Sequence, residues 1–124
     1  MFSTIYSGAV CGLQAYLIRV EVDLAGGLPA FLMVGSLGSE VRESRERVCV
    51  AMKNSGFQIP PGHITVNLAP ADRRKDGTAF DLPIAIGLLQ DMELLKEDAV
   101  KDTLFLGELG LNGEIKKAKG VLPI

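Results

Sequence analysis

Tyr16-Leu17-Ile18-Arg19-Val20-Glu21-Val22-Asp23-Leu24 is the stretch that decides the fold class. Ile18, Val20, Val22 and Leu24 fall on one face, and Arg19, Glu21 and Asp23 on the other. A period of two with one apolar face predicts a half-buried β-strand. On its N-terminal side, Phe2 to Val10 reads as a first strand that ends at the Cys11-Gly12 turn. On its C-terminal side, Gly26-Gly27 predicts a hairpin turn into a third apolar run, Leu28 to Val34.

Beyond the third run the period changes. Ser39 is placed to start and cap a helix. Val41, Val48, Ala51 and Met52 then recur at helical spacing, with Glu40, Arg42, Glu43, Arg45, Glu46 and Arg47 crowding the other side. Glu43 and Arg47 form an i,i+4 pair in the favourable order. Gly56 ends this helix. After the stiff turn Pro60-Pro61-Gly62, the segment His63 to Leu68 alternates again, with Ile64, Val66 and Leu68 inward. A polar loop, Ala69 to Thr78, leads to a second helix that Asp81 is placed to cap and whose first turn accommodates Pro83. Ile84, Ala85, Ile86, Leu88 and Leu89 make that helix apolar nearly all round, which predicts burial. Asp91 to Asp102 is acidic and reads as a solvated loop or a frayed helix end. Asn112-Gly113 between Leu104 to Leu111 and Glu114 to Ala118 predicts a closing hairpin. The order implies an α+β domain, with one mixed β-sheet and two helices packed on it.

The 124 residues are expected to form a single domain, 1–124. A domain of this size buries roughly 65–70% of the surface its unfolded chain exposes. Composition is ordinary for a globular protein, at 48% hydrophobic and 23% charged. A net charge of −2 argues against a domain built mainly to coat nucleic acid, while leaving room for a local basic patch. Cys11 and Cys49 have neither metal-ligand nor redox-motif spacing, and read as reduced, partly buried thiols. Met1-Phe2-Ser3-Thr4 lacks the basic start of a secretory signal, and the apolar run Leu82 to Leu89 is too short to span a bilayer. A cytoplasmic protein with no membrane partner is expected. Leu122-Pro123-Ile124 terminates no element, so the chain reads as a fragment of a longer protein.

Candidate chemistry is sparse. Gly35-Ser36-Leu37-Gly38-Ser39 precedes a helix, and helix N-termini bind anions. However, the GxxxxGK[ST] pattern is absent and no lysine follows these glycines, so the stretch reads as a plain turn. His63 stands at a polar strand position without companions, which makes it a surface histidine rather than a ligand or a base. No metal site is expected. The most functional-looking loop is Asp72-Arg73-Arg74-Lys75-Asp76-Gly77. Its three cations are able to hold phosphates, although two aspartates reduce the stretch to a net single positive charge and a solvated turn is the blander reading. Lys116, Lys117 and Lys119, on the last hairpin arm, extend the candidate nucleic-acid-binding set.

Three stretches carry a family resemblance. The first is Val41-Arg42-Glu43-Ser44-Arg45-Glu46-Arg47-Val48, continuing into Lys53-Asn54-Ser55-Gly56-Phe57. The second is Ile64-Thr65-Val66-Asn67-Leu68-Ala69-Pro70-Ala71-Asp72, followed by Phe80-Asp81-Leu82-Pro83-Ile84-Ala85. The third is Phe105-Leu106-Gly107-Glu108-Leu109, then Gly113-Glu114-Ile115 and Gly120-Val121-Leu122-Pro123. Together they resemble the N-terminal domain of magnesium-chelatase-like AAA+ ATPases of the ComM competence-protein type. Ser36-Leu37-Gly38 departs from the Leu-Pro-Asp turn usual in that family.

The resemblance implies a fold like the Lon proteolytic domain, which belongs to the ribosomal-protein domain 2-like class, and like the C-terminal domain of the repair protein RadA. Lon-type domains use a Ser–Lys dyad in which the lysine takes the serine's proton. Against the Lon motif Lys-Asp-Gly-Pro-Ser-Ala-Gly, this chain has Lys75-Asp76-Gly77-Thr78-Ala79-Phe80-Asp81. Ala79 therefore holds the nucleophile position, and Leu122 the approximate lysine position. The dyad is degenerate, and no catalytic residue is expected.

The resemblance further implies a non-catalytic accessory domain of a DNA-processing AAA+ ATPase similar to branch-migration helicases of natural transformation. It would contribute assembly contacts or a DNA-facing surface. ATP and Mg would belong to the downstream ATPase module, with no cofactor in this fragment. Partners would be that module, single- or double-stranded DNA, and further copies in a ring. The alternatives are a working Ser/Thr–Lys peptidase, using Thr78 with Lys119, and a magnesium-chelatase subunit.

Overall fold

A computed structural model describes residues 1–117. Strands β1 (Phe2–Cys11) and β2 (Gln14–Ala25) form a long antiparallel hairpin through Gly12 and Leu13. Strand β3 (Ala30–Val34) is followed by helices α1 (Ser39–Arg42) and α2 (Ser44–Asn54), and then by strand β4 (His63–Ala69). Helices α3 (Asp81–Asp91) and α4 (Glu97–Val100) precede a two-stranded ribbon of β5 (Glu108–Leu109) and β6 (Ile115–Lys116).

The main sheet is mixed, in the order β1-β2-β4-β3. Strand β4 runs antiparallel to β2 and parallel to β3. The class inferred from the sequence, α+β with a mixed sheet and two principal helices, is therefore the observed one. The strand alternation also holds: Ile18, Val20 and Val22 of β2 and Ile64, Val66 and Leu68 of β4 all face the buried side. There they meet Val48, Ala51 and Met52 of α2 and Ile84, Ala85 and Leu88 of α3 in one core. Helix α3 lies across β1 and β2 and alongside α2.

Four local expectations are corrected. Gly26-Gly27 does not close a hairpin, because β2 already has β1 on one edge and β4 on the other. The chain passes over the end of the sheet, and β3 pairs instead with β4 across the helical crossover, which is the connection parallel strands require. The first helix is broken at Glu43 into α1 and α2, and Ser39 makes no side-chain cap bond. Asp81 does not cap α3 either; it is the helix's first residue, and stronger partners hold its carboxylate. Finally, the acidic stretch after Asp91 contains α4, whose Val100 is buried, so it is docked rather than fully solvated.

Candidate functional site

The loop between β4 and α3 is held from two sides. Leu37 and Lys75 form a parallel bridge, in which Lys75 N donates to Ser36 O (3.0 Å) and Gly38 N to Lys75 O (2.8 Å). At the other end, Gly107 N donates to Ala79 O (2.9 Å) and Leu82 N to Gly107 O (3.0 Å), which fixes the start of α3. Glycine is required where the chain first turns toward this loop. Gly35 has φ 119°, and a Cβ there would lie 2.4 Å from Leu68 O.

The three adjacent cations of this loop do different things. Arg73 is exposed, with its guanidinium carbon 3.6 Å from the centroid of the Tyr16 ring at the start of β2, a cation–π contact. Arg74 is exposed and pairs with Asp76 (Nε to Oδ1, 3.0 Å), a surface ion pair of small energetic weight. Lys75 is a correction to the expected basic surface, since its side chain is only 1% exposed. Its ammonium donates to Gly35 O (2.7 Å) and to Pro70 O, the carbonyls that follow the ends of β3 and β4. Burial lowers its pKa, against a smaller opposing effect of Asp72. A strand's alternation does not extend into a loop, so local pattern carries no warning that the last of three adjacent cations points inward.

Thr78 and Ala79 are half-buried beside the start of α3. Lys116 and Lys117 are exposed on and after β6, with Lys116 opposite Glu108 in the ribbon. Among the described residues, no hydrogen bond or ion pair joins them to the Arg73–Arg74 loop. Lys119 and Leu122 lie outside the described residues. Among the described residues no cluster of His, Cys, Asp and Glu has the arrangement of a metal site. His63 is half-buried, at the first position of β4. Cys49 is half-buried, and burial, aided by Glu46, raises its pKa, so it stays a thiol.

The strongest polar constellation is one that the sequence pattern does not single out. Arg47 of α2 donates to both oxygens of Asp81 (Nε to Oδ2, 2.6 Å; Nη2 to Oδ1, 3.0 Å). Ser44 Oγ donates to Asp81 Oδ1 (2.5 Å), and Leu109 N to Asp81 Oδ2 (3.0 Å). Arg47 also reaches Glu40 O (2.8 Å), and its pair with Glu43, the one the sequence suggests, is the looser contact at 3.8 Å. The hydrogen bond to Asp81 is the main cause of the raised Arg47 pKa. A signal was present: Ser44 and Arg47 share a helix face, and Asp81 opens a helix too apolar to leave a carboxylate unpaired. Ser44 and Asp81 are both fully buried, so this constellation joins α1, α2, α3 and β5 and is closed to a substrate.

Comparison with known proteins agrees with these motifs. The family model described as subunit ChlI of Mg-chelatase matches residues 20–124. The chain is 44% identical over 119 residues to the competence protein ComM of Haemophilus influenzae, covering 96% of this chain and 23% of that protein. It is 42% identical over 120 residues to the uncharacterized protein YifB of Escherichia coli, covering 97% of this chain and 24% of that protein. A Mycobacterium bovis protein, Mb2921c, is 36% identical over 118 residues, covering 95% of this chain and 24% of its own length. The chain thus spans about a quarter of the length of these relatives. On the matched family model and the identity to these relatives, the chain belongs to the magnesium-chelatase-like family of the ComM type.

Proposed function

We propose that this domain is a non-catalytic accessory domain of an AAA+ ATPase, with a Lon-like fold, and that it contributes an assembly or DNA-facing surface to the whole protein. The carrying observation is Ala79. In the comparison with the Lon motif it takes the nucleophile position, where a methyl group has no lone pair with which to attack. Its carbonyl is tied to Gly107, so the neighbouring Thr78 is held in its own place and does not slide into register. ATP hydrolysis, and the Mg it needs, belong in this reading to sequence beyond this chain.

The DNA-facing part rests on Arg73 and Arg74 without Lys75. Arg73 stacked on Tyr16 presents a cation and an aromatic ring together, a combination that suits phosphates and unstacked bases. Arg73, with Arg74 already paired to Asp76, supports non-specific affinity only, with a Kd on the order of 10⁻⁴ M at physiological salt and tighter binding at low salt. Copies on a ring would add avidity.

The test has two arms. Incubation with unfolded casein and a serine-reactive probe should give neither turnover nor labelling above a heat-denatured control; labelling at Thr78 defeats the non-catalytic reading. Fluorescence anisotropy with labelled single-stranded DNA at low salt should show binding that an Arg73→Ala, Arg74→Ala variant loses. Equal binding by that variant removes the DNA role from this loop and leaves assembly as the function.

A further inference from the structure

The β1–β2 hairpin is longer than the sheet that holds it. Strand β4 pairs with β2 only from Arg19 to Ala25, so Gln14 to Ile18 have β1 as their one strand neighbour among the described residues. On the far side of β1, Leu104 bridges to Tyr6, Phe105 N donates to Tyr6 O (2.9 Å), and Ser7 Oγ donates to Phe105 O (2.8 Å). Past these contacts the hairpin runs on as a two-stranded arm to its turn at Gly12 and Leu13. From Gly8 to Ile18 it carries no charged residue of its own.

Arg73 supplies a charge where this arm leaves the sheet. Ala69, the last residue of β4, lies opposite Arg19, and the loop that follows carries Arg73 back over Tyr16, with its guanidinium carbon 3.6 Å from the ring centroid. The ring is held in place: Tyr16 pairs with Ala9 across the hairpin, and its hydroxyl donates to Gln14 Oε1 (2.6 Å). Of the three loop cations, Arg74 is paired with Asp76 and Lys75 is buried, whereas Arg73 forms no ion pair among the described residues. A guanidinium is flat, so with one side over Tyr16 an exposed Arg73 presents its other side to solvent.

We propose, resting on the DNA-facing reading above, that the Tyr16–Arg73 stack is a platform for one unpaired nucleobase, so that this loop selects single-stranded over duplex nucleic acid. Bases inside a duplex are covered on both faces and paired at their edges, so none is free to lie on a side chain. An unpaired base adds a third layer, on the outer side of Arg73. Arg73 is the residue that touches the base. Tyr16 is a positioning residue, because its ring fixes where the guanidinium lies. Magnitudes favour the single strand. One free cation gives salt slopes of about 0.9 on duplex and about 0.7 on single strand, a gap on the order of twofold in affinity at low salt. One stacked base contributes on the order of tenfold, so stacking outweighs the higher charge density of the duplex.

Fluorescence anisotropy of the 124-residue chain at low salt, with three labelled probes of equal length, tests this: oligodeoxyadenylate, the same backbone with abasic sites, and the corresponding duplex with oligothymidylate. Oligodeoxyadenylate should bind about tenfold more tightly than the abasic strand, and more tightly than the duplex. Arg73→Lys, at an exposed site, retains the charge but not the plane, and should bind oligodeoxyadenylate and the abasic strand equally. Tyr16→Ala should do the same, and Tyr16→Phe, which retains the ring, should restore the difference. An abasic strand that binds as well as oligodeoxyadenylate, a duplex that binds better than either strand, or an Arg73→Lys chain that keeps the difference would each overturn the platform. Failure of the platform and failure of the reading beneath it are distinguishable. Base-independent binding that an Arg73→Ala, Arg74→Ala variant loses removes the platform alone, whereas no binding to any of the probes removes the DNA role of the loop as well.

Discussion

Two buried carboxylates in this domain meet opposite fates. Asp81 is fully buried, yet three side-chain hydrogen-bond donors and the Leu109 amide satisfy it, and Arg47 supplies a matching charge. Removing the cation alone strands the anion. Arg47→Ala is expected to cost about 3–5 kcal/mol, read as a drop in the urea midpoint. The double variant Arg47→Leu, Asp81→Asn should recover part of that loss, because it leaves no unpaired charge inside; additive losses would show that the pair is not coupled. Asp91, at the end of α3, has no such partners among the described residues. It is 4% exposed and, among those residues, neither of its oxygens accepts a hydrogen bond; nearby Ser3 Oγ donates to Gly87 O instead. Burial pushes its pKa from 3.8 up to about 6, against smaller opposing effects of Ser3 and the Met1 ammonium and with a minor contribution from Asp23. The folded state therefore holds this proton more tightly than the unfolded chain does. Stability is greatest below the unfolded value, falls as pH climbs from 3.8 to about 6, and levels off above that. Asp91→Asn should be near neutral at pH 3.5 and stabilising at pH 7, by at most about 3 kcal/mol. Thermal melts at the two pH values check this, and an equal effect at both would refute it.

Among the elements, α3 is the one the rest is built around, and its fit depends on a missing side chain. A Cβ at Gly87 would lie 2.5 Å from Val22 Cγ2 and 3.0 Å from Val22 Cβ on β2. Helix propensity favours alanine over glycine by about 1 kcal/mol. Overpacking a filled core costs typically about 1–3 kcal/mol, and here the obstructing group is a stiff β-branched side chain in the sheet. The second effect wins, so Gly87→Ala should lower the denaturation midpoint; an unchanged or raised midpoint would show that helix and sheet can separate freely. The same close packing explains why α3 reads as apolar nearly all round. One side lies on β1 and β2, another meets α2, and its first turn is bonded to Gly107 before the β5–β6 ribbon.

For the whole molecule, the sequence by itself determined the class and most of the elements. Alternation in β2 and β4, helical spacing in α2 and α3, and Asn112-Gly113 in the last ribbon all act locally, because each records which side of one segment meets apolar surface. The family motifs were legible for the same reason: they are contiguous, and the matched region covers all of them. Only the tertiary structure decided which strands are neighbours, since Gly26-Gly27 is compatible with a hairpin until β4 occupies the edge that a hairpin would use. The tertiary structure alone also decided the roles of the charges. Lys75 looks like its neighbours Arg73 and Arg74 in the sequence, but the carbonyls of Gly35 and Pro70, 40 and 5 residues away, draw it inside. Asp81 looks like a helix cap until Arg47, 34 residues earlier, is placed against it. A side chain's burial and partner depend on groups distant in sequence, and local periodicity carries no information about them.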